Sequence, residues 1–265
     1  AKFILLGEHA VVYGYPALAF PLSALRTSVT IEHLAEPWIQ IHSSLGETRL
    51  YPDSSANDPL GVSVTKILAW LQVPFVSCKI KIDSTIPSGK GFGSGTSVTL
   101  ALIRALTHFF NQWLPLDEQH LLTNSIESLY HGQSSGIDSK VITYEKPLYF
   151  SRGIPPIFFK LPTAFHFLIA DSGEKHSTIE AIQSVQNLLS TQMLHCHSLF
   201  EYSGMLVEQG YQCLQTSDLK GMGKSMNENQ KVLQELDLST PQLDRCIQAA
   251  LDTGAYGAKL SGAGK

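Results

Sequence analysis

Apolar residues along this chain follow two periods. The run 2–6 (KFILL) closes on Gly7, and 26–32 (RTSVTIE) alternates polar and apolar positions with β-branched residues, so both predict strands. A further period-two stretch at 77–83 leads through a glycine-rich segment, 85–97, into 98–113, whose apolar spacing predicts a buried helix. Asp117 begins a second helix expected to reach Tyr130, followed by a polar, glycine-containing segment from His131 to Ser139. Short strands are expected at 147–151 and 165–170. From Ser177 onward Leu and Val recur every three or four residues, which predicts helices at 177–190, 195–214, 218–236 and 240–251 and a last apolar turn reaching Lys259. No internal repeat, low-complexity tract or long charge run interrupts this order.

The N-terminal part thus starts as sheet and the C-terminal part is rich in helix, an α+β arrangement. The paired prolines of Gly153-Ile-Pro-Pro156 cannot continue a helix or a central strand, so two lobes are expected, 1–153 and 154–265. With 43% apolar and 16% charged residues among 265, the chain can bury a sizeable core, which excludes a disordered, collagen-like or coiled-coil protein. A net charge of −4 without a basic stripe argues against nucleic acid or an anionic membrane as partner and leaves small molecules. Cys78, Cys196, Cys213 and Cys246 form no CxxC pair, so neither a disulfide framework nor a structural zinc site is expected, and a reducing cytoplasm fits best. There is no apolar run of the roughly 18 residues that a membrane span needs. The start AKFILLGEHA lacks the marks of a signal peptide, so a soluble, unexported protein is expected. The chain opens without Met and closes inside a glycine-rich run, so further residues are expected beyond Ala1 and Lys265.

Gly89, Gly91, Gly93 and Gly95 remove the Cβ atoms that would block close backbone approach to an anion, just before a helix N-terminus. With the hydroxyls of Ser94, Thr96 and Ser97, this segment suits a nucleotide's phosphates. A flexible turn with serine caps fits the same glycine spacing. The loop is not a Walker A sequence: Gly223-Lys224-Ser225 has Asp218 where the leading glycine belongs, and 89–97 has no Gly-Lys-Ser/Thr. Gly-x-Ser-x-Gly and HExxH are also absent, which weakens a hydrolase or zinc-protease reading. Glu127, late in a helix, and Asp138, after a tight turn at Gly136, place two carboxylates in one segment. Phosphoryl transfer needs a metal ligand and a group to accept a hydroxyl proton, and these two acids can divide those tasks. Lys2 sits inside an apolar strand, where an ammonium is costly unless it faces a cleft or an acid. His195 and His197 point to different helix faces and are discounted as a metal pair.

The stretch Ala1–Gly14 with its GEHAVVYG core, the loop Pro87-Ser-Gly-Lys-Gly-Phe-Gly-Ser94, and the end Lys259-Leu-Ser-Gly-Ala-Gly264 together resemble the three ordered motifs of the GHMP kinases. Within that family the first motif is similar to the branch that phosphorylates mevalonate. His131-Gly-x-x-Ser-Gly-x-Asp138, Asp171-Ser-Gly with Ser177-Thr178, and Met226-Asn-Glu-Asn-Gln230 support this in the same order. The resemblance spans essentially the whole chain. It implies a two-lobed α+β fold, with an N-terminal lobe like ribosomal protein S5 and a ferredoxin-like, helix-rich C-terminal lobe. It also implies transfer of the γ-phosphoryl group of ATP to the C5 hydroxyl of (R)-mevalonate. A phosphomevalonate-type kinase and a non-catalytic nucleotide sensor are the alternatives.

By position, the resemblance implies Asp138 as catalytic base, Lys2 as its partner and Glu127 as Mg²⁺ ligand. It implies Pro87, Gly89, Lys90, Gly91, Gly93, Ser94, Gly95, Thr96 and Ser97 around the phosphates. Glu8, His9, Ser135, Thr178 and Gly262 then line the acceptor side, and homodimerisation is a family-level expectation. One departure stands out: the family loop usually reads Gly-Leu-Gly-Ser-Ser-Ala, and here Gly95 replaces the second serine, a Mg²⁺ and phosphate ligand. The hydroxyl of Ser94 or Thr96 is expected to substitute for it.

Overall fold

The computed structural model describes residues 1–52, 58–131, 135–174 and 178–265, the side chains of His131, Thr178 and Ile179 excepted. The chain divides into two compact units that interleave in sequence: one holds Ala1, 22–88 and 93–145, the other 2–21, 89–92 and 146–265.

The first unit is a four-stranded sheet covered by helices. Its strands are β3 (Thr27–His33), β4 (Ile39–Ser43), β5 (Gly46–Leu50) and β6 (Cys78–Ser84), in the order β3-β6-β4-β5. β3 and β6 pair antiparallel from Thr27↔Ser84 to His33↔Cys78, whereas β4 and β6 run parallel. The parallel pair needs a crossover, and α1 (Pro59–Leu71) lies in it. Asp58 caps that helix by accepting from Gly61 N at 3.0 Å. The period-two reading of β6 holds residue by residue, with Cys78, Ile80 and Ile82 buried and Lys79, Lys81 and Asp83 exposed. Those side chains meet Val64 and Ile67 of α1, Leu102, Ile103 and Leu106 of α2 (Ser94–Phe109), and Leu122 and Ile126 of α3 (Leu116–His131) in one apolar core. A short helix, α4 (Ile137–Tyr144), follows where the sequence shows only a polar, glycine-containing segment and its sequel.

The second unit holds β1 (Lys2–Leu6), β2 (Ala17–Pro21), β7 (Leu148–Phe150) and β8 (Ile157–Phe158), all antiparallel in that order. Four helices follow: α5 (Thr178–Thr191), α6 (Met193–Thr216), α7 (Leu219–Glu235) and α8 (Pro241–Asp252), within a residue or two of the expected ends. Phe200, Leu206, Val232, Leu233 and Leu236 form its helical core with Ala10 and Leu260. Gly210 is required where α6 crosses the sheet, because a Cβ there would lie 2.4 Å from Leu6 Cδ1. The strand expected at 165–170 is absent. Its aromatic residues serve another purpose: Phe167 packs its ring 5.5 Å from Phe3 and 5.7 Å from Phe20, while its backbone joins no ladder.

Candidate active site

In the first unit the site is built on the start of α2. Gly93 takes φ +70° as the residue before the helix and has no side chain to cap it, so among the described residues the first-turn N–H groups are open to an anion. Thr96 and Thr99 lie three residues apart on one helix face. Both donate to the carboxylate of Glu127 on α3, Thr96 Oγ1 to Oε2 at 2.9 Å and Thr99 Oγ1 to Oε1 at 3.2 Å. Glu127 is buried, as are Thr96 and Ser97. Gly95 leaves open space at this carboxylate: a Cβ there would stand 3.7 Å from each of its two oxygens, an ordinary contact. A buried carboxylate surrounded by hydroxyls is a hard-oxygen donor set that fits Mg²⁺, which takes one or two carboxylates and completes its shell with phosphate and water. Among the described residues there is no cluster of three or more His, Cys, Asp or Glu.

Asp138 stands in the first turn of α4, after Gly136 at φ +80°, where the helix dipole favours a negative side chain. Ser135 Oγ accepts from Ile137 N at 3.4 Å and Ser139 Oγ donates to Gly136 O at 3.1 Å, so hydroxyls fix this turn. Asn124, one turn before Glu127, has its Oδ1 buried with no hydrogen-bond donor among the described residues, 3.7 Å from where a Cβ on Gly136 would lie. Pro87 is exposed in the approach to the glycine loop.

In the second unit, the first and last motifs are joined. Glu8 and Lys259 form a buried ion pair at 2.5 Å, His9 Nε2 lies 2.7 Å from Ala263 O, and Ser261 Oγ donates to Ile4 O at 2.8 Å. Burial pushes the Glu8 carboxyl up and the Lys259 ammonium down, each opposed by attraction to the other. Burial likewise lowers His9, against the carbonyl that holds its ring. Gly91 and Gly262 face each other: a Cβ on Gly91 would come within 3.4 Å of Gly262 Cα. Lys90, between two glycines at φ +71° and +76°, donates to Asp171 Oδ1 and to Glu174 O, both at 2.8 Å. Lys2 is buried on β1, its N–H donating to Phe92 O at 3.1 Å. Thr178 opens α5, and its side chain lies outside the described residues, as does Ser177.

Thr96, Ser97 and Glu127 are thus gathered in the first unit, and Glu8, His9 and Gly262 in the second. Sequence reasoning missed Thr99, whose three-residue offset from Thr96 is a usable signal. It also missed the partners Lys259 and Asp171, for which nothing local points to the pairing.

An uncapped, glycine-led helix start with a hydroxyl-bound carboxylate beside it, and a second carboxylate at another helix start, is the equipment of a small-molecule kinase. The chain belongs to the GHMP kinases. The model of their N-terminal domain matches residues 63–146 and that of their C-terminal domain 211–265. The mevalonate kinase of Pyrococcus horikoshii is 30% identical over all of this chain and 84% of its own length. Among solved structures, the mevalonate kinase of Methanococcus jannaschii matches 99% of this chain and 85% of its own with a TM-score of 0.82 at 27% identity. That of L. major, in complex with R-mevalonate, matches 100% and 82% with a TM-score of 0.82 at 26% identity. The two-lobed GHMP kinase fold is therefore the fold of this chain.

Proposed function

We propose that this protein is a mevalonate kinase, transferring the γ-phosphoryl group of ATP to the C5 hydroxyl of (R)-mevalonate. The observation that carries the reading is the pair of threonine hydroxyls on the Glu127 carboxylate at the uncapped start of α2. The relatives' names supply the acceptor.

In this mechanism the N–H groups of 89–97 hold the phosphates, with the glycines allowing the backbone to come close. Glu127, oriented by Thr96 and Thr99, holds Mg²⁺, which when bound offsets phosphate charge and orients the γ-phosphoryl group. Asp138, in the first turn of α4, accepts the proton of the C5 hydroxyl. Lys2 steadies the developing alkoxide. Glu8 and His9, each held by its partner in the same unit, shape the acceptor side with Ser135, Thr178 and Gly262. Residues 1–153 carry the nucleotide in this reading, and the enzyme is a cytoplasmic homodimer. The four unpaired cysteines fit a reducing compartment.

The test is ADP release with Mg²⁺ and ATP, offering mevalonate, phosphomevalonate, homoserine and galactose in turn. Turnover confined to mevalonate is the expected result; preference for another acceptor, or nucleotide binding without turnover, overturns the reading.

A further inference from the structure

Lys90 is the only side chain with a positive charge in the glycine loop, and it is engaged at its far end. Its ammonium donates to the Asp171 carboxylate and to the backbone carbonyl of Glu174. An ammonium has three N–H donors, so a third remains for another acceptor. The two partners differ in kind. Glu174 O is a neutral carbonyl on a residue whose own carboxylate accepts from Thr240 Oγ1, at 2.6 Å, at the start of α8. Asp171 is an anion whose side chain is 51% exposed, and an ion pair so placed is cheap to break. Lys90 itself sits between two glycines in left-handed conformation, so the backbone that carries it is easily turned. A lysine bound to a replaceable carboxylate, in a loop whose N–H groups suit phosphate, is set up for anion exchange.

We propose that Lys90 is a phosphate-binding lysine of the glycine loop that Asp171 holds in reserve, and that the nucleotide's phosphate displaces the carboxylate while the Glu174 carbonyl keeps its hold. Asp171 is then a competitor of the nucleotide, not a support for it. The proposal rests on the phosphate-binding reading of the loop given above.

The two roles predict opposite signs for one variant. Binding of MgATP and of inorganic triphosphate to the whole chain is measured at low and at physiological salt for wild type, Lys90→Met, Lys90→Arg and Asp171→Asn, with thermal unfolding to show that each is folded. Lys90→Met is expected to weaken binding about 10- to 100-fold, the worth of a hydrogen bond to a charged group, with Lys90→Arg largely restoring it. Asp171→Asn is expected to tighten binding about 2- to 5-fold at low salt, an effect that fades as salt rises. If Asp171→Asn weakens binding as Lys90→Met does, the pair merely shapes the loop and the proposal fails. It fails equally if Lys90→Met leaves binding unchanged. Absence of any nucleotide binding by the wild type removes the phosphate reading itself, an outcome distinct from both.

Discussion

Lys259 and Glu8, 251 residues apart in sequence, join their side chains at 2.5 Å with 2% and 1% exposure. Lys259 also donates to Leu260 O at 2.5 Å, while the second oxygen of Glu8 is buried and accepts no hydrogen bond. Lys259 offsets most of the charge on Glu8, with a smaller contribution from Lys2, and Glu8 offsets that on Lys259. Lys259→Met leaves a carboxylate in the core without its counter-charge and should cost roughly 3–5 kcal/mol. The double variant Glu8→Gln with Lys259→Met removes both charges and should recover most of that loss. Urea unfolding of the four proteins measures it; equal stability of the single and double variants would show that the pair is not coupled.

If a hydroxyl substitutes for the family's serine, Thr96 is the better placed of the two candidates. Thr96 donates to Glu127 at 2.9 Å, and Ser94 makes no such bond in the described structure. Thr96→Val keeps the shape and loses the hydroxyl, so the Mg²⁺ concentration for half-maximal rate should rise about 10-fold or more, while Ser94→Ala should change it little. Mn²⁺ binding followed by electron paramagnetic resonance gives the same comparison without turnover. If Ser94→Ala and Thr96→Ala are both fully active, neither hydroxyl replaces the missing serine. Gly95→Ser should fold normally, since its Cβ meets only the Glu127 oxygens at contact distance.

His120 supplies a pH dependence of stability. It is 8% exposed, its Nε2 stands 3.1 Å from Lys140 Nζ, and its Nδ1 has no partner among the described residues. Burial first, and the Lys140 charge second, push its pKa down to about 4 from 6.5. The unfolded chain therefore binds more protons than the folded one between those values. The neutral ring's contribution is complete above about pH 6.5 and is lost as the pH falls towards 4. The shift corresponds to an upper bound of roughly 3 kcal/mol, which solvent screening reduces to about 1–2. Urea unfolding from pH 7 to 4.5 should lose that much more stability in the wild type than in His120→Gln; parallel curves would place the titrating group elsewhere.

How far the sequence carries depends on the range of the interaction. The helices from 178 to 252 were legible because apolar residues recur in each at three- and four-residue spacing, a pattern contained in a dozen neighbouring residues, and in α6 and α7 that stripe is buried. The placing of Glu127 late in a helix and of Thr96 beside a helix start after the glycines was legible from the same local pattern. α4 was hidden because its first turn follows a glycine in left-handed conformation and carries an acid, a serine and a lysine among its first four residues. The apolar segment 165–170 misled because aromatic anchoring, as by Phe167, draws on the same apolar side chains as strand pairing. The pairs Lys259–Glu8 and Lys90–Asp171 were not legible at all: each joins segments at least 81 residues apart, and only the folded chain brings them together.

Asp138 provides the sharpest separation of binding from chemistry. It lies in the first turn of α4, in the unit that also holds α2 and Glu127. As the base, it acts on the hydroxyl proton in the transition state and touches no phosphate, so its loss should fall on turnover and not on nucleotide affinity. Asp138→Ala should lower kcat by about 10²- to 10⁴-fold or more, the usual contribution of a positioned base. The dissociation constant for MgATP should stay within about 3-fold of wild type, because a proton acceptor that acts in the transition state adds little to ground-state binding. Asp138→Asn keeps the volume and the hydrogen-bonding shape, so a similar fall in kcat with unchanged unfolding temperature assigns the loss to the proton acceptor and not to the turn at Gly136. Comparable turnover in either variant removes Asp138 from catalysis, and a matching loss of MgATP affinity reassigns it to the phosphate site.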